Sequence, residues 1–143
     1  MPGKMHGKTS KRISSSSFSI QKTGKGKPPR LPFRQMKEKI LGRAYELSLV
    51  LVGPGQIRTL NRIYRQKNQT TDVLSFPLTE NLGEIFICLN QARSRAKKIP
   101  RRVTDHVAFL FIHGLLHLKG LNHGSRMEKE EEAIASHFGI RIV

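Results

Sequence analysis

The stretch VTDHVAFLFIHGLLHLKGLNH, residues 103–123, decides how the rest of the chain is arranged. It reads as one long helix from about Val103 to Lys119, with the apolar run VAFLFI at its centre. His113 and His117 lie one helical turn apart and point from the same face, so both imidazoles can reach one ion about 2 Å away. Gly120 follows within a turn and can take the left-handed conformation that ends a helix, which lets the chain swing His123 back toward the pair. Three neutral nitrogens leave a fourth coordination position open, as catalytic zinc sites do and structural ones do not.

The spacing H-x-x-x-H-x-x-G-x-x-H is that of a large group of zinc proteases, but here Gly114 stands where those enzymes carry glutamate. Peptide hydrolysis thereby loses its proton carrier, and a metalloprotease ranks last among the possible activities. An ion with an open position can still generate hydroxide near neutral pH and polarise a phosphoryl oxygen, with a cation beside it to hold the developing charge. His106 has no specified partner and is read as a helix-start or core histidine, and His6 in the arm and His137 in the last helix are likewise read as ordinary histidines.

Composition points to the same substrate class. The chain has 143 residues, 26 Lys plus Arg and 10 Asp plus Glu, a formal net charge of +16. Such an excess concerns partners more than fold, and polyanions come first. Residues 1–34 carry nine bases and no acid, yet the remainder still has 17 bases against 10 acids. The lone cysteine, Cys88, excludes an internal disulfide and an all-cysteine zinc site, and suits a reducing compartment. The longest apolar runs, LSLVLV at 47–52 and VAFLFI at 107–112, fall far short of the roughly 20 residues that span a bilayer. A soluble, cytoplasmic protein without membrane contact is expected.

Outward from the histidines the organisation is regular. Residues 1–31, rich in Gly, Lys, Ser and Pro, are expected to form a disordered basic arm, and residues 32–143 the folded domain. FRQMKEKILGRAYE reads as a first helix, ELSLVLV as a strand, and QIRTLNRIYRQKN as a second helix with Arg58, Arg62 and Arg65 on its remaining surface. TDVLSFP and GEIFICL read as two more strands, so that strand, helix and strand suggest a βαβ unit. NQARSRAKK and MEKEEEAIASHFG complete the chain as helices flanking the long one. The fold class is α+β, a small sheet covered by helices, with the three-histidine metal site at the end of a long helix.

These segments together carry a family resemblance. HGLLHLKGLNH, with LSLVLVGPGQIRTLNRIYRQKNQTTDVLSFP at 47–77, GEIFI at 83–87 and MEKEEEAIASHFGI at 127–140, resembles the YbeY family of ribosomal RNA maturation factors. The resemblance implies a mixed sheet of about four strands. It also implies a metal-dependent, single-strand-specific endoribonuclease that matures the 3′ end of small-subunit (16S) rRNA and serves ribosome quality control. A non-catalytic zinc-containing RNA-binding assembly factor is the alternative. The family's ligands match His113, His117 and His123, holding one Zn2+ per chain, and its important arginine matches Arg65. The implied partners are single-stranded ribosomal RNA, the small ribosomal subunit and its proteins. Asn122 stands where the family usually has aspartate, and with Asp72 it is a candidate to orient a ligand from behind. Glu84 reads as a strand-edge acid.

Overall fold

The computed structural model describes residues 11–14, 17–23 and 26–142. In chain order its elements are β1 (Lys11–Ser14), β2 (Phe18–Lys22), α1 (Phe33–Leu41), β3 (Glu46–Val52), α2 (Pro54–Arg65), β4 (Val73–Thr79), β5 (Leu82–Cys88), α3 (Leu89–Lys98), α4 (Val103–Lys119) and α5 (Ser125–His137). One five-stranded sheet has the order β1-β2-β3-β5-β4. Its inner strands β2, β3 and β5 are parallel, and the edge strands β1 and β4 are each antiparallel to their neighbour. The expected α+β class with a mixed sheet is what the chain forms.

Two expectations are corrected. The segment read as a disordered arm through residue 31 contributes β1 and β2, so the boundary at residue 32 cuts through the folded unit. FSIQK holds only two large apolar residues, too few for a local signal; pairing with β3, where Ile20 lies opposite Leu49, supplies what the segment lacks. Phe18 is buried against Phe111, with ring centroids 6.4 Å apart. Residues 1–10 of the expected arm lie outside the described residues. The second correction concerns β3, α2 and β4, which do not form a βαβ unit. Helix α2 carries the chain past the next position to the edge, and the hairpin partner β5 fills the gap, parallel to β3. Pro77, which cannot donate to a ladder, explains why β4 takes the edge. Glu84, in turn, sits buried on the interior strand β5 instead of at an edge.

Strand alternation distributes apolar side chains to two faces. Leu49, Leu51, Ile85 and Ile87 join Phe33, Met36, Phe111, Leu115 and Ile134 in the larger core, beneath α1, α3, α4 and α5. Val50, Val52, Leu74, Phe86 and Cys88 point the other way, onto Ile57 and Leu60 of α2. Helix α4 therefore lies against the sheet with neighbours on both sides, most of its length buried, with Val103 at its start exposed and its last turn, from His117 to Lys119, accessible. Lys37, fully buried, donates through Nζ to the Arg43 carbonyl at 3.0 Å and ties down the loop that ends α1.

Candidate metal centre

Helix α4 ends as its sequence requires. Gly120 has φ 108° and ψ 6°, a left-handed conformation favoured by glycine, and its N–H donates to the His117 and Leu116 carbonyls. The N–H of Leu121 closes back on the Leu116 carbonyl at 3.0 Å, and the reversed chain brings His123 to the other two histidines. The ring centroid of His123 lies 5.0 Å from that of His113 and 4.7 Å from that of His117. One ligand nitrogen from each of the three falls within 4.8 Å of the others.

Hydrogen bonds behind the rings determine which nitrogens face inward. Nδ1 of His113 meets Oε2 of Glu131 at 2.6 Å, and Nδ1 of His117 meets the Leu121 carbonyl at 3.0 Å. A carbonyl only accepts, as does an ionised carboxylate, so each Nδ1 is the donor and each Nε2 carries the lone pair. Those two Nε2 atoms face one another at 3.1 Å. Two lone pairs at that distance repel unless a proton or a metal ion lies between them. Ligands sharing one tetrahedral zinc at about 2.05 Å would stand about 3.3 Å apart. The donor set thus fits a metal ion with imidazole ligands. His117 is also held below the ordinary histidine pKa, first by burial, then by His113, with His123 and Arg65 adding and the Leu121 carbonyl opposing; low pKa favours the neutral, ligating form.

Glu131 is the functional residue that reading the sequence missed. It lies in an acidic run on α5, but it alone among those acids joins the buried stripe of Met127, Ile134 and Ala135. An acid at a core position of an amphipathic helix was the available signal. Its carboxylate fixes the tautomer and orientation of His113, the usual role of a carboxylate behind a metal-binding histidine.

The other expected residues fall as follows. Arg65 ends α2 at the edge strand, exposed, with Nη2 3.4 Å from the Ser75 carbonyl and its guanidinium 6.0 Å from the Phe76 ring centre. It is close enough for its charge to act on His117. Asn122 is exposed beside His123. The Asp72 carboxylate goes to Nε2 of His106 at 3.4 Å instead of to one of the three histidines. Burial raises its pKa, but the hydrogen bond and charge of His106, together with the charge of Arg95, more than offset this and leave it lowered. Gly114 faces the sheet: a Cβ there would stand 2.9 Å from Ser75 Oγ and 3.0 Å from Ile85 Cδ1. A glutamate cannot occupy that position while α4 lies this close to β4 and β5.

Comparison with known proteins gives the family. The sequence model of the family described as Endoribonuclease YbeY matches residues 18–139. This chain belongs to the YbeY endoribonuclease family. The match begins at the first residue of β2, Phe18. An Endoribonuclease YbeY from Phytoplasma australiense is 39% identical over 108 residues, covering 69% of this chain and 72% of its own length. That of Carboxydothermus hydrogenoformans is 42% identical over 109 residues, covering 69% and 76%. A solution structure from Thermotoga maritima superposes with a TM-score of 0.57 at 27% identity, covering 74% of this chain and 76% of that one. Among the described residues no helix is long and apolar enough to cross a membrane.

Proposed function

We propose that this protein is a zinc-dependent endoribonuclease that cuts single-stranded RNA in the cytoplasm. It acts in maturing the 3′ end of small-subunit rRNA and in ribosome quality control, in contact with the small subunit and its proteins. The observation that carries the reading is the pair of Nε2 lone pairs facing each other beside His123, with Glu131 and the Leu121 carbonyl behind them. His113, His117 and His123 would hold one Zn2+, which supplies Lewis acidity toward phosphoryl oxygen and makes water nucleophilic near neutral pH. Glu131 keeps His113 oriented and offsets charge at the site. Arg65, exposed at the edge of the sheet, presents a planar guanidinium suited to gripping two phosphate oxygens as negative charge builds. The surface lysines and arginines hold the strand by its phosphates.

The test is cleavage of an end-labelled single-stranded RNA, with and without chelator, beside His117→Ala and Arg65→Ala proteins purified in parallel. Chelator-sensitive cutting by the wild type and loss in both variants are expected. Equal cutting by all three would mean a contaminating ribonuclease and would remove the basis for this function. RNA binding that survives His117→Ala, with no cutting by the wild type, would favour a non-catalytic assembly factor.

A further inference from the structure

Charge is segregated among the helices. Helix α5 holds four glutamates, whereas α3, LNQARSRAKK, has four cations and no acid. Alanines 92 and 96 and Leu89 anchor α3 to the core, and Arg93, Arg95, Lys97 and Lys98 stand exposed. Between α3 and the loop that leads from α2 into β4 lies a hollow of about 380 Å³. Amides and hydroxyls line most of it, those of Gln69, Thr71, Gln91 and Ser94, with Arg95 and Lys98 at one side. Its one acid, Asp72, is engaged with His106.

A chain of side-chain contacts runs from that hollow to the candidate metal centre. Asp72 bonds to His106, whose ring stacks on Phe109 at 6.0 Å, and Phe109 lies 5.7 Å from His113. The loop itself is built to hold its shape. Asn61, buried in α2, accepts the N–H of Lys67 at its backbone carbonyl, 3.2 Å, and donates its side-chain amide to the Gln69 carbonyl at 3.0 Å.

From this arrangement we propose that the hollow is a nucleotide subsite, lodging one unpaired base of the RNA away from the scissile phosphate. The proposal rests on the nuclease reading for its substrate class. Amides and hydroxyls both donate and accept, which suits the edge of a base, whereas two cations at one side suit the adjoining phosphates. No aromatic ring is among the residues lining the hollow, so the base is read by hydrogen bonds instead of stacking. Base and phosphate contacts then have separable signatures: the first alters sequence preference, the second alters salt dependence.

Binding is tested by fluorescence anisotropy with the four homo-oligomeric single-stranded RNAs, using the full chain carrying His117→Ala so that cutting plays no part. Adding Gln69→Ala and Gln91→Ala should level the order of preference among the four, with the salt slope kept. Adding Arg95→Gln and Lys98→Gln should weaken all four about tenfold and flatten the slope of log affinity against log salt by about 1.4, at about 0.7 per phosphate released. Lys39→Gln with Arg43→Gln, equal in charge and placed at the end of α1, is the control. The subsite is overturned if the parent shows no preference, if the glutamine variant keeps it, or if the control pair matches the Arg95/Lys98 pair. Failure of the wild type to cut RNA would count against the proposed function and leave this comparison standing.

Discussion

Helix α4 presents histidine in two settings, two turns apart. His106 and His113 each face a carboxylate from another element, Asp72 at 3.4 Å and Glu131 at 2.6 Å, and both rings lie against Phe109. At His106 the second nitrogen is also taken: Arg101 lies 3.2 Å from Nδ1, and a guanidinium can only donate. Arg101 in turn reaches the Ile142 carbonyl at 2.8 Å and stacks over Phe109 at 4.8 Å, so His106 joins the C-terminal segment to the start of α4. At His113 the second nitrogen points at two more histidines. What separates a structural histidine from a candidate ligand here is the partner of its remaining nitrogen, for both have a carboxylate behind them.

Substitutions test that contrast. The largest effect should come from His113→Ala, which removes a ligand and should lower RNA cleavage to the level of the chelated wild type, whereas His106→Ala should keep cleavage at temperatures where it stays folded. Arg65→Ala should cost about 100- to 1,000-fold in kcat, as loss of one transition-state donor does, with bound metal unchanged. Glu131→Gln keeps a hydrogen-bonding group but loses the charge, and should weaken zinc binding about 10- to 100-fold in a competition titration with a chromogenic chelator. Gly114→Ala drives a Cβ into Ser75 and Ile85 and should destabilise the fold by about 1–3 kcal/mol in urea unfolding.

The smallest effect belongs to the structural side. The Asp72 pKa is lowered below its usual 3.8, so the stability it contributes is present above that value and is lost as pH falls through the lower, folded-state pKa. Asp72→Asn should cost about 0.5–1.5 kcal/mol at neutral pH, with the gap to wild type closing below about pH 4. A gap that widens toward acid would mean that the carboxylate is not stabilised by its neighbours.

How much of this the sequence shows depends on whether the cause is local. Helix α4 matches its expected limits, Val103–Lys119, and the turn at Gly120 forms as its conformational freedom suggests, because periodicity and left-handed glycine act within one segment. The other helices lie where their spacing puts them, with shifts at the ends. Helix α2 stops at Arg65 because Gln66 takes a left-handed conformation, φ 57°, without being glycine, and α1 stops before Gly42. Strand β2 has no comparable signal, since its place depends on β3. Glu131 is obscured for a related reason: four glutamates crowd one stretch, and although its spacing from Met127 and Ile134 puts it on the apolar stripe, its partner His113 is set by the packing of α5 on α4. Asp72 is marked as a candidate by its motif, yet its partner His106 lies 34 residues away and is set by the meeting of β4's approach with the start of α4.

The most direct test of the contrast is the metal content of three proteins purified alike and dialysed against the same buffered zinc: wild type, His106→Ala and His117→Ala. One zinc per chain is expected in the wild type and in His106→Ala, with almost none in His117→Ala. Equal zinc in all three, or its loss from His106→Ala while His117→Ala retains it, would contradict the assignment of the metal to the C-terminal end of α4.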